Sequence, residues 1–274
     1  GVDIKRINYM EVDTSVSPES GATVASRSTL LGGNAVKNAA QQIKRTITEM
    51  IVDKFKVKSD DLVLKNENIY NKNNSQKIMS FDNAVDLANK LGIFLSAYGW
   101  YKAPDISWDE ETGQGRPYFT YVYGCQIAEV EVDMATGQIE VLKMAAAHDV
   151  GRAINPSCLK GQIYGGVMMG LGYGIMEEVE IVNGYIKNTN FDEYLIPTVK
   201  DMPEIIPIIV ENPDPQGPYG AKSIGEPTLE LGAPAIANAV AQATGRRIRH
   251  LPLNLERVLL GHSLSKGGTR NDLL

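Results

Sequence analysis

The chain is poor in the residues that proteins use to grip metals. Among 274 residues there are two cysteines, Cys125 and Cys158, and three histidines, His148, His250 and His262, all far apart. Two thiols cannot build a disulfide framework, a four-cysteine zinc site or an iron–sulfur cluster, and the histidines lack ligand spacing. A redox cofactor here would be held by something other than protein thiolates. Basic density is missing too: 27 Lys and Arg against 33 Asp and Glu leave a net charge of −6. With no cationic stretch there is no footprint for a phosphodiester backbone, which argues against nucleic acid. Long apolar runs are also absent, since Glu, Asp or Gly interrupts each one before the roughly 18 residues a bilayer span needs. The opening GVDIKRINYMEVD is too polar for a signal peptide. A cytoplasmic protein without a membrane partner is the expectation.

What is there suits a globular protein of one or two domains, at 43% hydrophobic and 22% charged residues. Residues 1–30 read as extended and polar, with hydroxyls at Thr14, Ser15, Ser17, Ser20, Thr23, Ser26, Ser28 and Thr29. Gly32-Gly33-Asn34 then reads as a turn and N-cap, and Ala35, Val36, Ala39, Ala40, Ile43, Ile47 and Ile51 recur at helical spacing to about residue 55. Short apolar runs between 60 and 80 suggest a small hairpin, followed by a helix near 81–92 and a polar loop over 101–116. Ala128, Val130 and Val132 alternate with acids, and Ile139 and Val141 resume the alternation after Ala135-Thr136-Gly137, which predicts an antiparallel hairpin. A glycine-laden helix is expected over 157–178, a second hairpin over 179–190, a proline-rich stretch over 195–224, and helices near 229–243 and 254–260. Strands and helices segregate rather than alternate, so the expected class is α+β, with mixed or antiparallel sheets packed by helices.

Four features could carry chemistry. Six glycines at 161, 165, 166, 170, 172 and 174 sit in one helical segment. At about 0.8–1 kcal/mol each, an exposed helix would lose roughly 5 kcal/mol, so close approach by a neighbouring element or a ligand is expected to compensate. Ser20–Thr29 offers hydroxyls, backbone N–H groups and Arg27 just before a helix, which suits a polar anion or simply a solvated loop. Gln114 between glycines and Gln162 after Gly161 could read the edge of a planar heterocycle, or be surface amides. Glu226 stands between Gly225 and Pro227 before a helix, as a positioned general base or a capping acid would. His148 and Asp149 are adjacent on a strand, so they face opposite ways and form no triad.

These features occur in an order that resembles the C-terminal part of the molybdenum subunit in the xanthine dehydrogenase and aldehyde oxidase family. The resemblance rests on SGATVASRSTLLGGNAV, TGQGRPYFTYVYGCQIAEVEVDMATGQIEV, HDVGRAINPSCLKGQIYGGVMMGLGYGIMEE and GPYGAKSIGEPTLELGAPAIANA. It implies that residues 1–274 are the C-terminal part of a molybdopterin-binding domain, with a subdivision at 1–110 and 111–274. It further implies Glu226 as the active-site base, with Ala25, Ser26, Arg27, Ser28, Gln114, Gln162 and Gly225 at the cofactor and Ala25 nearest the metal. No protein side chain is a metal ligand in that family, because the pterin's two sulfurs hold the molybdenum. The implied reaction is hydroxylation of an electron-poor carbon, in an N-heterocycle such as nicotinate or a purine or in an aldehyde, with oxygen from water. The family's upstream Phe-Gly loop, second cofactor glutamine, iron–sulfur modules and flavin module do not match anything here. The resemblance therefore implies a split subunit, as in bacterial nicotinate dehydrogenase, or an excised domain. Partners would be the N-terminal half of the molybdenum subunit, an iron–sulfur subunit and a flavin (FAD) subunit, and the chain alone would be inactive. The pterin could be the mononucleotide or carry cytidine. A non-catalytic cofactor-binding scaffold, and a relative acting on an aromatic thioester or carbon monoxide, are the alternatives.

Overall fold

A computed structural model describes residues 1–261; His262 lies outside the described residues. The chain divides into two compact units: Gly1–Thr23 with Leu31–Ala103, and Val24–Leu30 with Pro104 onward.

In the first unit, α1 (Ser28–Phe55, whose first three residues belong to the second unit) presents Ile43, Ile47, Met50 and Ile51 on one face. That face packs with a three-stranded antiparallel meander, β1 (Leu62–Lys65), β2 (Asn68–Asn71) and β3 (Lys77–Ser80), and with α2 (Phe81–Lys90). Ala84 and Ala88, one turn apart on α2, are fully buried. Their methyls let the helix lie close, and the Ser80 hydroxyl caps it by accepting from the Asn83 N–H. The structure thus has three strands where a hairpin was expected. It also corrects the start of α1: the helix begins at Ser28 and runs straight through Gly32, Gly33 and Asn34. Once nucleated, a helix gains one hydrogen bond per residue, and the burial of Leu30 in its first turn offsets the roughly 2 kcal/mol the two glycines cost.

The second unit opens on a short exposed hairpin, β4 (Ser107–Asp109) with β5 (Gln114–Arg116), inside the segment expected to be a loop. Its core is a three-stranded sheet. β6 (Gly124–Val132) and β7 (Ile139–Asp149) form the expected antiparallel hairpin, turning through Gly137 at φ 78°. Leu142 is an extra residue opposite the Glu129–Val130 step, and this bulge flips the alternation so that Val141, Met144, Ala146 and His148 all face inward. α3 (Pro156–Ile175) follows, then the small hairpin β8 (Ile181–Val182) and β9 (Tyr185–Ile186), closed by Asn183-Gly184 with φ of 51° and 82°. β10 (Glu204–Val210) then pairs parallel to β7, giving the order β10-β7-β6. This strand lies where the sequence suggested only a proline-rich stretch. Pro207 is tolerated because β10 is an edge strand with a partner on one side only.

α4 (Pro227–Glu230), α5 (Gly232–Thr244) and α6 (Leu255–Leu260) complete the unit. Ile163, Val167 and Leu171 of α3 join Ile236 and Val240 of α5 over Met144 and Ala146 of the sheet. The mixed sheet with helices packed on it is the α+β arrangement expected. Among the described residues, no helix is long and apolar enough to cross a membrane.

Candidate active site

The 200 residues separating Ser26 from Glu226 are closed by hydrogen bonds within the second unit. Arg27 N–H donates to the Val24 carbonyl across a tight turn whose central residues, Ala25 and Ser26, have φ of 51° and 49°. Two successive positive φ values belong to the turn type that ordinarily takes Asn-Gly, and a Cβ there costs roughly 1–2 kcal/mol per residue. Something outside the turn must hold it, and that is Glu226. The Ala25 N–H donates to Glu226 Oε1 at 3.2 Å, and the Ser26 hydroxyl donates to Oε2 at 3.1 Å. The Glu226 N–H donates back to Ser26 Oγ at 2.8 Å. Both carboxylate oxygens are therefore aimed by a strained turn, the kind of backbone that gathers at functional sites.

Glu226 does not cap α4: its side chain makes no cap hydrogen bond. It also adopts α-region angles (φ −82°, ψ −41°) despite preceding Pro227, which normally pushes its predecessor to extended backbone. Ala25, Gly225 and Glu226 are exposed, and Ser26 and Arg27 are half-buried. These residues alone therefore do not shield the carboxylate from solvent. Gly225 is not crowded, since a Cβ there would meet only Ser26 Oγ at 3.5 Å.

Behind Glu226 lies a buried polar layer that sequence reasoning missed. The Gln126 amide donates to the Thr228 carbonyl at 2.7 Å and sits 3.1 Å from His148 Nε2. An amide NH₂ can only donate, so Nε2 accepts and the neutral ring carries its proton on Nδ1. Thr228 Oγ1 in turn donates to the Gly225 carbonyl at 3.1 Å. Asp149, pointing the other way from His148, receives Lys222 Nζ at 2.5 Å and the Gly151 N–H at 2.9 Å. Lys222 Nζ also donates to the Tyr121 carbonyl at 2.9 Å, and both side chains of the pair are 4% exposed. Lys222 stood inside GAKSIGEP and Asp149 inside HDVGR, but nothing in either stretch pairs one with the other.

Burial pushes the His148 imidazole below its ordinary pKa. The unfolded chain then takes up a proton near pH 6.5 that the folded one refuses, so stability is full above that pH and falls as pH drops below it. The expected slope reaches at most about 1.4 kcal/mol per pH unit. Urea unfolding at pH 7.5, 6.5 and 5.5 should show this decline, and His148→Met should flatten it.

Of the remaining candidates, Ser28 opens α1 and Gln162 is exposed on α3. Gln162 stands one turn before Gly166, whose Cα abuts Thr228, two residues past Glu226. Gln114 is exposed on β5 and is not joined to the cluster. Among the described residues, no three His, Cys, Asp or Glu side chains converge as metal ligands would.

A family model described as a molybdopterin cofactor-binding domain matches residues 1–203, ending upstream of Glu226. An aldehyde oxidoreductase from Megalodesulfovibrio gigas is 31% identical over 94% of this chain and 25% of its own length. A putative xanthine dehydrogenase molybdenum-binding subunit from Escherichia coli (strain K12) is 31% identical over 94% of this chain and 34% of its own. The crystal structure of the aldehyde oxidoreductase from Desulfovibrio desulfuricans ATCC 27774 superposes with a TM-score of 0.71 at 30% identity, over 90% of this chain and 24% of that one. The chain thus spans about a quarter to a third of the relatives it matches. With a match across nearly three-quarters of its length, and with the Ala25–Ser26 turn inside it, the chain belongs to the molybdopterin cofactor-binding domain family represented in aldehyde oxidoreductases and xanthine dehydrogenases.

Proposed function

We propose that this chain is the C-terminal part of the molybdopterin-binding domain of a molybdenum hydroxylase, with Glu226 as the base. The observation that carries the reading is the three-bond clasp between Glu226 and the strained Ala25–Ser26 turn. A capping or solubilising carboxylate needs no such device, whereas a base must keep one direction. The residues also fit the cofactor's chemistry. They offer hydroxyl, amide and backbone donors around small side chains, and among the described residues no cluster of His, Cys, Asp or Glu competes for the metal. Ser26, Arg27, Ser28 and Gln162 would hold the pterin, and Ala25 and Gly225 would leave room for substrate. Bound there, the molybdenum–pterin group supplies the two-electron oxidation. The chain's own part is to orient that group and to accept a proton at a Glu226 carboxylate oxygen.

The substrate is an electron-poor carbon, in an N-heterocycle such as nicotinate or a purine or in an aldehyde, and water supplies the oxygen. The exposure of Glu226 in this chain supports a pocket closed by an N-terminal half of the molybdenum subunit, because binding sites of this kind sit between domains. Iron–sulfur and flavin (FAD) subunits would carry the electrons away, in the cytoplasm. The test is purification from the native host with whatever chains accompany it, followed by elemental analysis for molybdenum and fluorescence of the released pterin. Equimolar molybdenum and pterin in the complex, and neither in the isolated chain, is the expected result. A complex lacking both overturns the reading.

A further inference from the structure

The segment that delivers Glu226 is anchored at its far end by charge. Residues 220–222 run beside 150–152: Arg152 N–H donates to the Gly220 carbonyl at 2.8 Å, and Lys222 N–H donates to the Val150 carbonyl at 2.9 Å. Gly151 and Ala221 form a bridge there, and a Cβ on Gly151 would come within 2.2 Å of the Gly220 carbonyl oxygen, so the two backbones touch. Lys222 then turns inward to Asp149 at the end of β7. Ser223 accepts from the Leu30 N–H in the first turn of α1 at 3.3 Å, Ile224 is buried in the core, and Glu226 meets Ser26. Only three residues lie between the buried cation and the carboxylate.

We infer that the buried Asp149–Lys222 pair is a positioning device for Glu226, fixing the 220–226 segment so that the carboxylate meets the Ala25–Ser26 turn. A buried ion pair is a weak source of net stability, because desolvation offsets most of the attraction, yet its geometry is stringent. Lys222 donates to Asp149 and to the Tyr121 carbonyl, and Asp149 receives Gly151 N–H as well, so the register of two loops is set at one point. A sliding 220–226 segment would leave a charge unpaired in the interior. Misplacement of a catalytic group by about 1 Å costs on the order of 100-fold in rate, so such a device has a kinetic effect that its stability contribution does not predict.

The inference rests on Glu226 being the base, and the experiment separates the two. In the assembled complex, Lys222→Met keeps the stem and removes the charge, while Asp149→Asn keeps the shape and the Gly151 contact. Each is measured beside Glu226→Gln for kcat, KM and molybdenum content, together with amide hydrogen exchange over residues 24–30 and 220–228. The expected result is a kcat lowered roughly 10- to 100-fold with KM within about twofold and molybdenum retained. Exchange should rise in those two segments and not in α5 or the sheet. Lys222→Arg should recover part of both losses. Unchanged exchange and kcat in Asp149→Asn, with Glu226→Gln inactive, overturns the positioning role alone, as does exchange rising uniformly through the second unit. Full turnover in Glu226→Gln removes the base assignment instead, and the exchange readout still decides whether the pair orders the segment.

Discussion

Replacing Glu226 with Gln in the assembled complex is expected to lower kcat by about 100- to 10,000-fold, the range general base catalysis supplies, while molybdenum content stays unchanged. The substitution is close to a pure removal of basicity. An amide oxygen in place of Oε1 still accepts from the Ala25 N–H, and the backbone bond from Glu226 N–H to Ser26 Oγ is untouched. The amide nitrogen replacing Oε2 can donate to Ser26 Oγ, so the 3.1 Å contact persists with donor and acceptor exchanged. The turn should therefore stay in place, and KM, which reports ground-state binding, should move little. Steady-state kinetics with metal analysis on the same preparation checks this. Turnover that survives intact would leave the chain as a cofactor-binding scaffold.

Periodic packing was legible where it was local. Ile43, Ile47 and Ile51 announced the core face of α1, and the second hairpin expected over 179–190 is β8–β9. What failed was local grammar overruled from a distance. Gly32-Gly33-Asn34 reads as a helix start, yet the burial of Leu30 carries α1 back to Ser28. Pro207 argues against a strand until β10 is known to be an edge beside β7. The site divides the same way. Glu226 and the Ala25–Ser28 run were singled out, but no pattern in the chain links residues 200 positions apart, and only the family resemblance joined them. Gln126, Asp149 and Lys222 carried no signal because their partners lie 22 to 102 residues away, and an isolated polar residue in a strand looks like a solvated one.

The glycines of α3 show how much a tertiary neighbour decides. Spacing alone could not say which of the six are required, but the structure sorts them into opposite expectations. A methyl on Gly166 would lie 2.1 Å from Thr228 Oγ1 and 2.7 Å from the Thr228 backbone carbon. One on Gly170 would lie 2.8 Å from the Leu229 carbonyl oxygen. The obstruction is backbone, which cannot rotate aside, so α3 and α4 must part. Gly166→Ala is expected to cost about 3 kcal/mol, the upper end of overpacking. At Gly161 and Gly165 a methyl meets nothing within 4 Å, so Gly→Ala there should stabilise the isolated chain by about 0.8–1 kcal/mol through helix propensity alone. Urea unfolding of the three single variants checks both signs, and a Gly166→Ala variant as stable as its parent would refute the packing account. The same contact reaches the site, because α4 begins at Pro227 immediately after Glu226. Parting α3 from α4 displaces Thr228 and, through its bond to the Gly225 carbonyl, the turn that bears the carboxylate. Gly166→Ala should accordingly lose activity in the complex, while Gly161→Ala separates helix stability from anything a partner chain or the pterin requires of that open face.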